Sequence, residues 1–199
     1  MFMQEFIYKN IGGESMLLKA EKIGSIEIQN EKIDITDPCY NRNVWCRLNN
    51  VAVKSGEYIC RYYVGSELEQ KDIKEITEIA EKYGHNVKES IEREKEDIRH
   101  RCFVIELHIK GYNFCQDSPE WKEIGQIGVD AGLAGFFWNK PDFSDDEWDE
   151  FCDKLDDYNE VAYLDKDMGF WCSSGYGDGA YKVYAIKEKN EIVALKICF

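Results

Sequence analysis

The sequence is poor in histidine and proline and contains no long apolar run. Three histidines and three prolines occur in 199 residues. No HxxxH or HD pattern accompanies the motifs of the chain, which argues against the common histidine-based metal hydrolases. No stretch of about 18 apolar residues is present to cross a bilayer, and residues 1–22 lack the apolar run of a secretory leader. We therefore expect a cytoplasmic protein with no membrane partner.

Cysteine spacings typical of metal sites are also missing. The eight cysteines include no CxxC pair, and cysteine pairs two to four residues apart, as zinc sites use, do not occur. We interpret the cysteines as reduced thiols of a cytosolic chain, most of them small core residues. The sequence predicts no cofactor, and it leaves open whether a metal binds.

Positive charge is scarce. Lysine and arginine number 25 against 39 acidic residues, a formal net charge of −14. Binding to nucleic-acid backbones relies on cations that displace counterions, so this balance argues against a nucleic-acid partner. The segment 142–167 alone holds twelve acidic residues and two lysines. The rest of the chain is much less acidic, which leaves room for an anion-binding pocket elsewhere.

Alternating apolar and polar residues, typical of strands, are abundant. With two helical segments inserted among them, they predict an α+β protein built mainly on an antiparallel β-sheet or sandwich. We expect a single domain over 1–199, in which residues 1–22 form a loosely attached arm or an edge strand. Alternating isoleucines within 24–36 predict one hairpin, and the segment 180–199 predicts another.

The two helical segments carry end signals. The insert at 66–100 is predicted as two helices, separated by Gly84 as a C-cap and Asn86 as an N-cap. A further helix over 144–158 begins with Ser144 and Glu147, the spacing of a capping box.

One glycine-rich corner lies at 173–184, where three glycines occupy alternate positions and permit a sharp turn before the last hairpin. Asp178 lies between two of these glycines, with Tyr176 and Tyr181 beside it and Lys182 following. A carboxylate, aromatic rings and a cation on such a corner form a candidate ligand-binding site.

A second glycine-rich corner lies at 127–137. It has two interpretations: a kinked, buried strand pair, or a strand end that places Asp130 opposite Asp178. Its glycine spacing matches no phosphate-binding loop, and no GK[ST] follows.

A third candidate is the turn that begins with Asp37. Pro38 favours an extended backbone at Asp37, whose side chain can accept amide hydrogens two or three residues further on. The turn is interpreted either as a capped strand end or as a fixed carboxylate in a pocket beside Tyr40 and Trp45.

Together these segments resemble a family of uncharacterised bacteriophage and bacterial proteins, described as domain of unknown function 4241. The resemblance rests on DPCY at 37–40 with WC at 45–46, GVDAGLAGFF at 128–137 and SSGYGDG at 173–179, in that order. It covers about 37–64 and 126–199 and leaves out the arm and the helical insert. It implies a phage or prophage context and an accessory role in the host-cell cytosol. The family has no accepted activity, so no catalytic residue carries over.

The first functional hypothesis is a non-catalytic protein that sequesters a nucleotide-like second messenger of host defence. Aromatic side chains would stack on bases, glycine-corner amides would meet phosphates, and nearby cations would add charge. The residues concerned are Asp37, Tyr40, Arg42, Trp45, Arg47, Asp130, Tyr176, Asp178, Tyr181 and Lys182. Such a protein often closes its pocket across a symmetric interface, so a homo-oligomer is a further expectation.

Two alternatives of other classes stay open. Asp37, Asp130 and Asp178 each lie at a tight turn, and converging carboxylates would hold a divalent cation for a metal-assisted hydrolase. The acidic segment 142–167 would instead suit an inhibitor that binds a host protein by imitating nucleic acid.

Overall fold

A computed structural model describes residues 5–9, 15–112, 121–156 and 160–199 of the chain. These residues form two sheets in which neighbouring strands run antiparallel, together with three helices, which confirms the predicted α+β class. The larger sheet has seven strands, in the spatial order β1 (Glu5–Lys9), β2 (Ser15–Ile28), β5 (Gly56–Gly65), β6 (Cys102–Ile109), β12 (Glu191–Cys198), β11 (Gly179–Glu188) and β7 (Lys122–Val129).

The smaller sheet has five strands, in the order β4 (Leu48–Ala52), β3 (Lys32–Thr36), β8 (Leu133–Phe137), β10 (Gly169–Ser173) and β9 (Ala162–Asp165). Apolar side chains of both sheets share one core, so the arrangement is sandwich-like. Among its most buried members are Ile105, Leu107, Leu195 and Ile197 from the larger sheet and Ile33, Ile35, Phe136 and Phe170 from the smaller.

The helical segments follow their predicted end signals. The insert forms α1 (Gln70–Tyr83) and α2 (Val87–His100), with Gly84 in the left-handed conformation and the Asn86 side chain accepting from the first turn of α2. The third helix, α3, covers Asp145–Asp156. The backbone and side chain of Ser144 donate to Glu147 at 2.8 and 2.7 Å, and Glu147 N donates back to the Ser144 hydroxyl at 3.4 Å. The end of the predicted helix, at 157–158, lies outside the described residues.

In the part of the chain that the structure describes, no helix is long and apolar enough to cross a bilayer.

The predicted hairpin within 24–36 is wrong. Its first run belongs to β2 in the larger sheet and its second to β3 in the smaller, and Glu31, at φ 55°, lies in the turn between them. Both runs place their isoleucines in the shared core, each from its own sheet. The predicted arm also includes part of β2, which pairs with β5 from Leu18 to Ile28.

The two glycine-rich corners meet at the same end of the sheets. Ser174 N donates to Gly132 O at 2.8 Å, and Gly175 N donates to Cys102 O at 3.1 Å. A Cβ at Gly175 would lie 2.2 Å from Cys102 O. The close approach of two backbones therefore requires glycine at this position.

We predict that Gly175→Ala lowers the free energy of unfolding by about 3 kcal/mol, because backbone atoms must shift to admit the methyl group. Gly179→Ala is the matched control, since a Cβ there meets the Tyr181 ring at an ordinary 3.4 Å. We expect it to change stability by less than about 1 kcal/mol. Urea unfolding of both variants measures the difference, and equal stabilities would refute the close-packing argument.

Candidate functional site

The carboxylate of Asp37 is fully buried at the end of β3. Its Oδ1 accepts from Cys39 N at 2.8 Å, two residues on, as the turn predicted. Its Oδ2 accepts from Asp130 N at 2.8 Å and from Ala131 N at 2.7 Å. Both oxygens are thus engaged by backbone donors, and the side chain joins the β3 end to the turn between β7 and β8.

The residues 37–47 that follow, called here the anchored loop, are held at several further points. Cys46 O accepts from Gly128 N at 2.8 Å. The Asn41 side chain and the Phe143 backbone exchange two hydrogen bonds, of 3.3 and 3.1 Å. The backbone N–H of Arg42 donates to Asp142 Oδ1 at 2.9 Å. The loop is therefore bonded to two other segments that are distant in sequence.

Buried charge lies beneath the anchored loop. Arg47, whose side chain is 1% exposed, donates to Asp34 Oδ2 at 2.9 Å and to Tyr40 O at 2.6 Å. Its Nε is buried and has no hydrogen-bond partner within the described part of the chain. Arg42 approaches the same Asp34 oxygen at 3.5 Å, while 63% of its side chain is exposed. The sequence identified both arginines, but it did not identify Asp34 as the group that brings them together.

Lys140 adds a third cation to this region. It is 3% exposed, donates to Pro141 O at 2.7 Å and lies 4.6 Å from the centre of the Phe143 ring. Burial, together with the neighbouring Arg47 charge, lowers the pKa of Lys140 to about 8. No motif marked this lysine, because its burial depends on how the 139–143 segment folds over the anchored loop.

Two predicted aromatic residues of the loop differ in exposure. Trp45 is 92% exposed, the most exposed of the large apolar side chains. Tyr40 is partly buried, and burial raises its pKa well above the usual range. Burial also raises the pKa of Cys39, helped by its hydrogen bond to Asp37, so this thiol stays protonated at neutral pH. A protonated thiol is a poor nucleophile.

The remaining predicted residues lie on or near the glycine corner. Tyr176 is 58% exposed, with Phe103 and Arg101 against its ring. The Tyr181 hydroxyl donates to Gly177 O at 2.8 Å. Lys182 pairs with Glu123 at 2.8 Å on the surface. None of the contacts described for these three residues connects them directly to the anchored loop.

The three predicted aspartates have unequal roles. Val129 pairs with Gly179, so Asp130 and Asp178 lie just beyond that pair at the same end of neighbouring strands, and both are exposed. Asp37 is buried and hydrogen-bonded to backbone on both oxygens. Within residues 5–9, 15–112, 121–156 and 160–199, no group of three or more His, Cys, Asp and Glu is placed to hold a metal ion.

Two of the glycine amides predicted to meet phosphates are already used. Gly175 N donates to Cys102 O, and Gly177 N donates to Ser174 O at 2.5 Å. Any phosphate contact in this region therefore depends on side-chain cations rather than on these two amides.

Comparison with protein-family models, curated proteins and solved structures finds no match.

A set of three buried polar residues was not predicted from the sequence. Glu106, His108 and Lys196 are each no more than 5% exposed on β6 and β12. The Tyr63 hydroxyl donates to Glu106 at 3.2 Å, and His108 Nδ1 lies 3.1 Å from the same carboxylate. The available signal was a Glu and a His two residues apart, which places both on one face of a strand.

We predict that Asp37→Asn and Asp37→Ala each lower the free energy of unfolding by about 3 kcal/mol or more. The alanine leaves backbone N–H groups without an acceptor, and the asparagine turns an NH₂ group toward donors. Asp178→Asn, an exposed carboxylate at the neighbouring corner, is the control and should stay within about 0.5 kcal/mol of wild type. Urea denaturation measures all three variants. A cost below about 1 kcal/mol for Asp37→Asn would contradict the role assigned to Asp37.

We further predict a pH dependence caused by Lys140. The native protein releases the Lys140 proton near pH 8, whereas the unfolded chain keeps it to about pH 10.4. Between these values the unfolded state binds more protons, so the unfolding free energy gains up to about 1.4 kcal/mol per pH unit from this group. Lys140→Met should lose this gain, and the exposed-lysine control Lys166→Met should keep it. Denaturation curves from pH 7 to pH 10 measure it; identical slopes for both variants would refute the prediction.

Proposed function

We propose that the protein is a non-catalytic binding protein that holds a nucleotide-like ligand at the anchored loop. The observation that carries the proposal is a contrast within this loop. Hydrogen bonds between its own groups and Asp130, Phe143 and Asp142 hold the loop in place, while its Trp45 side chain is 92% exposed. A fixed loop that presents a large aromatic ring to solvent is pre-organised for recognition.

Exposure of Trp45 is costly in the free protein. A tryptophan buries about 150–250 Å² when it is covered, and each Å² of apolar surface removed from water contributes about 25 cal/mol. A planar aromatic ligand would recover part of this free energy by stacking, which is worth about 1–3 kcal/mol per base. The stacking role predicted for Trp45 is thus consistent with its surroundings.

Arg42, three residues before Trp45 in the chain, offers a partner for an anionic group on the same ligand. Three cations, Arg42, Arg47 and Lys140, lie among the carboxylates of Asp34, Asp37 and Asp142, and Arg47 and Lys140 are buried. Arg42 is the cation with most of its side chain in solvent, and a guanidinium group binds phosphate oxygens with two parallel hydrogen bonds. A base stacked on Trp45 with its phosphate on Arg42 satisfies both features.

The biological setting of this binding rests on the resemblance described above. A phage-type accessory protein that sequesters a nucleotide second messenger of host defence fits a stoichiometric binder, because sequestration needs affinity and no turnover. The hydrolase alternative has less support. Asp37, one of its three proposed metal ligands, already accepts backbone hydrogen bonds on both oxygens.

We expect cyclic or ADP-ribose-type nucleotides to raise the melting temperature of the purified protein. Trp45→Ala and Arg42→Ala should each weaken binding of the stabilising nucleotide about ten-fold or more, as stacking and charge-assisted hydrogen bonds are lost. Tyr83→Ala removes another exposed aromatic ring, on α1, and should leave affinity unchanged. Titration calorimetry of the four proteins gives the comparison.

Chromatography of ligand released by heating the complex distinguishes binding from turnover. Recovery of the intact nucleotide supports sequestration, whereas a converted nucleotide identifies an enzyme. No melting shift with any nucleotide of the panel, or equal affinities in the Trp45 and Tyr83 variants, would refute the proposal.

A further inference from the structure

A cavity of about 620 Å³ lies between α3 and the β9–β10 end of the smaller sheet. One face of the helix forms its wall, since the lining residues of α3 recur at spacings of three and four. We call this cavity the α3 groove. It is lined by Phe143, Glu147, Glu150, Phe151, Lys154, Leu155, Glu160, Tyr163, Leu164, Asp165, Met168 and Trp171.

The floor of the α3 groove is aromatic. The Trp171 ring lies 5.5 Å from the Phe151 ring, 5.8 Å from the Tyr163 ring and 5.9 Å from the Phe137 ring, measured between centroids. Rings packed on three sides hold the indole in one orientation. Trp171 is 5% exposed, and its Nε1 is buried with no hydrogen-bond partner among the residues that the structure describes. A buried tryptophan N–H usually has an acceptor, and an acceptor on a ligand seated against the indole would satisfy a donor that the described residues leave unpaired.

The rim of the groove is acidic. Four carboxylates and one ammonium group line it. Glu147 is engaged by Ser144, and the Asp165 carboxylate accepts from two backbone amides. The side chains of Glu150 and Glu160 make no hydrogen bond or ion pair with residues that the structure describes. These two carboxylates remain available to a cationic partner and would repel an anion.

The length of the groove favours a peptide over a compact cation. Its α3 wall extends from Glu147 to Leu155, about 12 Å at 1.5 Å per residue. That length matches roughly four residues of extended chain. An apolar floor flanked by carboxylates suits a segment in which basic residues surround a large apolar side chain.

We propose that the α3 groove is a docking site for a basic peptide segment of a partner protein. One large apolar side chain of the segment packs over Trp171, and lysine or arginine residues on either side pair with Glu150 and Glu160. The inference is independent of nucleotide binding at the anchored loop, because the two surfaces select ligands of opposite charge.

The test uses a fluorescein-labelled twelve-residue peptide of lysine, arginine and leucine, with fluorescence anisotropy as the readout. Glu150→Lys/Glu160→Lys reverses the two available carboxylates of the groove. Asp149→Lys/Asp153→Lys is the matched control, since both aspartates are exposed on α3 outside the lining and the change in net charge is identical. We expect saturable binding to wild type, a loss of affinity of about ten-fold or more in the groove variant and less than about three-fold in the control.

Equal losses in the two double variants would show diffuse attraction to an acidic surface and overturn the proposal, as would the absence of saturable binding. An alkyl-trimethylammonium competitor that binds as tightly as the peptide would assign the groove to a small cation instead. Self-association in sedimentation that disappears in the groove variant would assign it to a second copy of the chain.

Trp171→Phe tests the floor separately, since it keeps an aromatic ring and removes the indole N–H. We expect the peptide to bind several-fold more weakly while the melting temperature falls only slightly, because removing a buried donor without an acceptor offsets part of the cost of the cavity that the smaller ring leaves. Unchanged peptide affinity would overturn the assignment of the indole N–H as a donor to the ligand.

Discussion

Three backbone amides converge on the carboxylate of Asp37, and the arrangement of the candidate site depends on that contact. Asp130 and Ala131, which supply two of the amides, lie in the turn where the chain passes from β7 in the larger sheet to β8 in the smaller. Asp37 itself directly follows β3 of the smaller sheet. A buried carboxylate is tolerated only when it is fully hydrogen-bonded, so this passage and the start of the anchored loop are fixed together.

The contacts of Asp37 hold the start of the anchored loop in place. A second contact, at Asp34, brings charged side chains to the loop. Asp34 brings Arg47 and Arg42 together at the start of β4, and the 139–143 segment buries Lys140 nearby. At Asp142 and Phe143 the same segment passes into the acidic wall of the α3 groove. The exposed Arg42 and the acidic α3 groove therefore lie on either side of one short segment. In this arrangement a nucleotide and a basic peptide would bind without competing for the same charges.

Buried polar groups occur on the other side of the larger sheet as well. Glu106, His108 and Lys196 lie on the two central strands β6 and β12. An alternating pattern is typical of a strand with one solvated face, but both faces of these central strands are covered. Polar residues on the second face of these strands are therefore buried as well, and they bond to one another: Tyr63 and His108 contact Glu106.

Features whose contacts join residues only a few positions apart were predictable from the sequence. The Ser144/Glu147 capping box, the caps at Gly84 and Asn86, and the last hairpin with Lys189 and Asn190 at positive φ all agree with the structure. The bond from Cys39 N to Asp37 belongs to the same class. Each depends on local backbone geometry and on side chains that reach only their near neighbours in the chain, so the sequence specifies it without knowledge of the fold.

The sequence by itself determined the α+β class, the helix ends and the residues that make up the corners, because periodicity and capping are local. Tertiary structure decided the rest. It separated Ile26 and Ile28 from Ile33 and Ile35 into opposite sheets, since an alternating run fits either sheet equally well. It also brought the amides of Asp130 and Ala131, 93 and 94 residues away in the chain, to Asp37 Oδ2. Pairing between such distant segments depends on which surfaces are buried together.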